Sequence, residues 1–310
     1  MVGSAIPLSV AGFLAHEEET SNKRHHLFVL DDKEQAAYFM NDLQSVMDEH
    51  RAVLFYPRSA RVPYSEEETV ENANVAMRAE VLNEINGGRD GLCIVTFPEA
   101  LAEQVITRKE LSDQTFTISI GESYTMDFLD EVLLAYEFEK VDFVYEPGQY
   151  SMRGGIVDIF SYSFDHPYRI EFFGDEVDSI RKFEPTSQLS VAKMTRATVV
   201  PNVGNTRLHE AHEPFFSFLP SNAVLWMADA KRCEAGLDKA MERARSHYDR
   251  LSGEVTRTPP DELFLSGDAL EGLLEPFSVV EFGGGTTWPN RVILKYGMAQ
   301  QPAFNKQFDL

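Results

Sequence analysis

Apolar positions along the chain switch between two rhythms, and the switch points outline its organisation. Residues 5–15 (AIPLSVAGFLA) fit an amphipathic helix, and a polar connection then leads to the apolar run HHLFVL at 25–30. Asp31-Asp32 closes that run, after which Ala36, Phe39, Met40, Leu43, Val46 and Met47 recur at helical spacing. AVLFY at 52–56 supplies the next strand, so this stretch predicts a βαβ unit and a parallel sheet with right-handed crossover. Pro57 and Pro63 bracket a loop, and residues 71–86 form a second helical pattern stopped by Gly87-Gly88. GLCIVTF at 91–97 reads as a third buried strand, and PEALAEQVI opens a helix with proline in its first turn. Residues 1–106 thus read as the early part of an α/β domain.

At about 107 the rhythm changes. TFTISIG (115–121) alternates, residues 123–138 repeat at helical spacing, and VDFVYE leads into a meander with strands at 150–160, 167–173 and 176–183. Gly174-Asp175 marks a tight reversal that tolerates positive φ, whereas Gly154-Gly155 predicts a bulge or close backbone contact within a strand. MTRATVVPNVG (194–204) leads out of this unit. From 205 the first rhythm returns: a helix over HEAHEPFFSFLP, a strand at 222–229, a long helix, a turn and helix, a strand at 277–284, and a further strand within WPNRVILKYGMAQQPAF. The economical reading is one α/β domain in two pieces (1–106 and 201–310), with a small α+β domain inserted at 107–200. Three independent domains are the alternative.

Alternation places Tyr168, Ile170 and Phe172 on one face of a meander strand and Arg169, Glu171 and Phe173 on the other. Arginine beside an aromatic residue typifies the centre of a protein-binding patch. The competing reading packs Phe173 under a helix and leaves Arg169 in solvent. With 43% apolar residues the chain can build a sizeable core, while 50 acidic against 28 basic residues argue against a nucleic-acid binder. Cys93 and Cys233 lie far apart in apolar runs, as buried thiols of a reducing cytosol would. No apolar run reaches the length of a membrane span, and Ala5–Leu14 does not read as a signal peptide because no basic flank lies ahead of it. The start and the end at FNKQFDL suggest an excised piece of a longer cytoplasmic protein.

Catalytic signatures are missing. Gly3-Ser4-Ala5 lacks the Gly-Lys-Ser/Thr that would reach terminal phosphates and hold Mg²⁺, and Gly283-Gly284-Gly285 leads to Thr-Thr-Trp-Pro. His209 and His212 have helical ligand spacing but need a third convergent ligand. His25-His26 reads as the solvent edge of its strand, and the runs Glu17–Glu19 and Glu66–Glu68 as solvated faces. No catalytic, cofactor or metal residue is assigned.

Five segments carry a resemblance: GSA at 3–5, YPRSARVPYSEEETVENANVAMRAEVL at 56–82, VTFPEAL at 95–101, EPGQYSMRGGIVDIFSYSFDHPYRIEFFGDEVDSIRKFEPTSQ at 146–188, and QPAFNKQF at 301–308. They resemble the N-terminal, UvrB-like module of bacterial transcription-repair coupling factors (Mfd), ATP-driven DNA translocases that displace stalled RNA polymerase and recruit excision repair. The resemblance implies an α/β fold: a degenerate RecA/helicase-like parallel-sheet domain, split around an inserted α+β domain that binds UvrA. It carries the contact positions over to Arg153, Arg169 and Phe173. It further implies that ATP, Mg²⁺, RNA polymerase and double-stranded DNA are engaged by other parts of the full-length protein, and that a C-terminal domain of the same protein masks the UvrA-binding face. A nucleotide-dependent helicase-like domain, or a damaged-DNA binder in the manner of UvrB, remains the alternative.

Overall fold

The computed structural model describes residues 5–19, 23–47, 51–59, 72–162, 166–202, 211–250, 258–282 and 292. Helix α1 (Ala5–Glu19) precedes strand β1 (His26–Val29), which is buried at every position, as a strand covered on both faces must be. Helix α2 (Lys33–Val46) starts at Asp32, whose carboxylate accepts the Gln35 N–H at 2.8 Å and satisfies one orphan amide of the first turn. Strand β2 (Val53–Phe55), helix α3 (Asn72–Asn86), strand β3 (Cys93–Thr96), the short helix α4 (Pro98–Leu101) and strand β4 (Val105–Ile106) follow.

The middle of the chain holds helix α5 (Arg108–Gln114), strand β5 (Phe116–Ser119) and helix α6 (Met126–Ala135), each helix capped by a threonine hydroxyl. Strands β6 (Glu139–Lys140), β7 (Gln149–Arg153), β8 (Ile156–Ile159), β9 (Tyr168–Phe173), β10 (Glu176–Phe183) and β11 (Ser190–Met194) then line up in chain order as one six-stranded sheet. Only β6–β7 is a parallel pair in it. One face of the sheet (Tyr150, Val157, Ile159, Tyr168, Ile170, Val177, Ile180) shares a buried cluster with Leu129 and Leu133 of α6. Strand β12 (Arg196–Val199) runs back antiparallel to β5, so the chain enters and leaves this unit through one two-stranded ribbon.

Strand β13 (His212–Glu213) pairs with β4, and β14 (Val224–Met227), the long helix α7 (Ala230–Arg250), the short helices α8 (Pro260–Leu263) and α9 (Leu270–Leu274), and β15 (Ser278–Glu281) complete the described chain. Five strands form a wholly parallel sheet in the order β15–β14–β1–β3–β2. Strand β1 is therefore flanked by β3 from before the meander and by β14 from after it.

Several expectations need correction. The strand expected over 150–160 is a hairpin, because Gly154 (φ +59°) turns the chain between β7 and β8 instead of forming a bulge. The close backbone contact is real: the Gly155 carbonyl accepts the Phe172 N–H at 2.8 Å. Residues 211–219 are not helical; after β13, Pro214 introduces a single 3₁₀ turn in which Phe215, Phe216 and Phe218 are all buried, a pattern no one-sided helix could satisfy. His25 and His26 are buried rather than at a solvent edge, and Glu17 is buried with them. Helix α5 had no counterpart among the expected elements. The Gly3-Ser4 and Gly283–Gly285 segments, Glu66–Glu68, His209 and the expected last strand lie outside the described residues.

Candidate protein-interaction site

The face of the six-stranded sheet opposite α6 carries a charged ladder. Register aligns Ser151, Asp158, Arg169, Arg181 and Lys193 across five strands, so their side chains share the face opposite the α6 core. At its centre the Asp158 carboxylate is fully buried. Arg169 grips it with two hydrogen bonds, Nε to Oδ1 and Nη2 to Oδ2, both 2.7 Å. Arg153, reaching from β7, donates to Oδ2 at 2.6 Å. A buried carboxylate is tolerated because each oxygen accepts a charge-assisted bond.

Each arginine is held further. The Arg169 Nη2 also donates to Gln188 Oε1 at 2.8 Å, and its guanidinium lies 4.4 Å over the Phe183 ring. Arg153 donates to the Asp142 carbonyl at 3.0 Å and lies 4.8 Å over Phe143. Donating to the Asp158 carboxylate holds Arg169 still more firmly protonated than an ordinary arginine. The Nε and Nη2 groups of Arg169 are thus committed to Asp158 and Gln188, and the residue is not a solvated one: its side chain is 17% exposed. Arg153 keeps 38% of its side chain in solvent. Next along, Glu171 accepts from Ser179 Oγ at 2.6 Å and pairs with Arg181. Three arginines face two carboxylates here, leaving a surplus positive charge.

Phe173 stands at the end of β9, 85% exposed, paired through its backbone to Glu176. The two-residue turn places Gly174 alone at positive φ (+64°); Asp175 needs no such freedom. Alternation sends Phe172 into the core and leaves Phe173 with none of that packing. Phe143 and Tyr145 are also exposed. Arg153, Arg169 and Phe173 therefore share one sheet face, but Arg153 is two strands from β9, joined to it through Asp158. Asp158, Gln188 and Phe143 escaped the sequence reading. The first left a trace, as the one acidic residue inside GIVDIF.

The other chemistry-bearing residues are structural. His26 accepts the Trp226 indole N–H at Nδ1 (3.0 Å); its proton is therefore on Nε2, which donates to Glu17 at 2.7 Å. Burial lowers the His26 pKa to about 4 despite the Glu17 carboxylate, so the ring is neutral at pH 7. Arg24 Nε donates to Glu17 at 2.7 Å, and Arg51 Nη2 approaches it at 3.4 Å. Burial pushes the thiols of Cys93 and Cys233 up to about 12, leaving them unreactive. His212 sits in a two-residue strand, where helical spacing has no meaning, and the described residues contain no cluster of three metal-ligating side chains.

Comparison with known proteins matches residues 116–204 to the UvrB interaction domain, a segment containing the whole ladder and Phe173. The chain is 33% identical over 169 residues to the transcription-repair-coupling factor of Bacillus subtilis, covering 54% of this chain and 14% of that protein. It is 30% identical over 153 residues to that of Myxococcus xanthus, covering 48% and 13%. The UvrABC system protein B of Streptococcus uberis is 40% identical over 77 residues, 24% of this chain and 12% of the relative. The chain thus spans about one seventh of the length of the first of these relatives.

Proposed function

We propose that the chain, whose residues 116–204 match the UvrB interaction domain, is the non-catalytic, UvrB-like module of a transcription-repair coupling translocase, and that it recruits UvrA to stalled transcription complexes. The observation that carries the reading is Phe173, a large aromatic held in solvent beside an arginine–aspartate lattice. Such a residue gains desolvated contact area on docking and loses no packing of its own. The lattice presents Arg153 as the accessible cation, with surplus positive charge for an acidic partner.

In this reading residues 1–106 and 201–310 make one degenerate RecA/helicase-like domain, with 107–200 inserted as the UvrA-binding domain. The parallel sheet shared by β1, β3 and β14 supports that division. ATP, Mg²⁺, RNA polymerase and double-stranded DNA are contacts of the remainder of a full-length coupling factor, and its C-terminal domain masks the Phe173 face until the motor engages. The whole protein acts in the cytoplasm. A pull-down of the chain with UvrA of the same organism, with DNA and ATP as separate additions, tests the proposal. UvrA should be retained without either addition, and the absence of retention would contradict it.

A further inference from the structure

We infer that the parallel-sheet part of the molecule holds a second site, a cleft for a small organic anion: one phosphate or carboxylate group on a compact apolar body. The cleft encloses about 200 Å³ and is lined by Arg58, Glu99, Glu103 and Phe264 together with one face of α7. It lies at the carboxyl ends of two neighbouring strands. Arg58 follows the end of β2 by three residues, and Glu99 belongs to α4, directly after β3. This edge of an open parallel sheet is where ligands settle in α/β folds. From α7 the residues Ala240, Arg243, Ala244 and His247 recur at helical spacing, so one stripe supplies both apolar wall and basic rim.

Charge pairing points to the ligand. The chain carries 50 acidic against 28 basic residues, so acidic partners for its basic side chains are plentiful. On α7 itself, Arg232 is tied to Asp31 and Arg245 to Asp261. Arg58, Arg243 and His247 make no hydrogen bond or ion pair among the described residues. Glu103 is held chiefly by other groups: its carboxylate accepts the Ser59 N–H at 2.9 Å and lies 3.3 Å from Arg78, with Arg58 a weaker electrostatic neighbour. Glu99 is the remaining acidic group of the lining. Two guanidinium groups lining one cleft with Ala240, Ala244 and Phe264 suit an oxyanion whose body is apolar. The site is separate from the ladder, which belongs to the other sheet.

Calorimetric titration of the whole chain with phenyl phosphate, benzoate and, as neutral control, phenol tests this. Either aromatic anion should bind saturably, one per chain, in the millimolar range or tighter, and phenol should not. Arg243→Gln should weaken binding by about tenfold or more, equivalent to one lost charge-assisted contact. Arg243 is exposed, so its melting temperature should not move. Ala244→Leu, which fills the cleft, should abolish binding, and Phe173→Ala should leave it unchanged. Absence of saturable binding to either anion, equal binding of phenol, or binding that survives both Arg243→Gln and Ala244→Leu would overturn the inference. None of these outcomes depends on UvrA.

Discussion

Replacing Arg169 by alanine should unfold the meander more readily than any other substitution on its charged face. Asp158 would lose two of its three hydrogen bonds from arginine, both 2.7 Å long, and Gln188 would lose its guanidinium partner. A carboxylate that cannot reach water would then depend on Arg153 alone. Removing one member of a buried ion pair costs about 3–5 kcal/mol. The bond kept by Arg153 brings the expected loss down to about 2–4 kcal/mol. For a unit of this size that corresponds to a drop of about 10–20 °C in melting temperature. The assay is a thermal and urea melt of the parent, Arg169→Ala, Asp158→Ala and the double variant. Removing both partners deletes the uncompensated charge, so the double variant should be more stable than the sum of the single losses predicts, by about 1–3 kcal/mol. An Arg169→Ala melt within about 0.5 kcal/mol of the parent, or strictly additive losses, would refute the view that Arg169 anchors the sheet.

Three further outcomes follow from the structure. Because burial holds His26 at a pKa of about 4 against an ordinary 6.5, the unfolded chain takes up the extra proton first on acidification. The resulting stability is complete above pH 6.5 and lost as the pH falls toward 4, by up to about 3 kcal/mol; melts of His26→Gln across this range should show a shallower acid limb, and an equal one would contradict the assignment. Separately expressed 1–106 and 201–310 should copurify, since β1 lies between β3 and β14; recovery of each as an independent folded monomer would argue for separate domains. ATP at millimolar concentration should leave the melting temperature unchanged, and a saturable shift would reveal a nucleotide site.

The parallel sheet was legible because its strands are short apolar runs followed by capped helices, as at Asp32, and that local grammar survives folding. Alternation put Arg169 and Phe173 on one face of their strand but left open whether a helix covered Phe173; its exposure is visible only in the fold. What sequence could not convey was pairing at a distance. Arg169 reads as a free fork until register places Asp158 opposite it, eleven residues earlier. Glu17 and His26 read as solvent-facing polar residues because their partners, Arg51 and Trp226, are 34 and 200 residues away. The aromatic run after His212 misled for another reason: Pro214 and packing on both sides overrode a helical spacing that the side chains imitate.

The most direct test of the proposed role is a titration of UvrA against the parent chain, Phe173→Ala and, as control, Arg245→Ala on α7. Phe173 is 85% exposed, so its truncation should leave the melt within about 0.5 kcal/mol of the parent. A central aromatic of an interface contributes about 1–4 kcal/mol on truncation, and UvrA affinity should therefore fall by about tenfold or more. Arg245→Ala should bind as the parent does. Affinity unchanged by Phe173→Ala, with the chain still folded, would contradict the placement of the UvrA-binding site on this face.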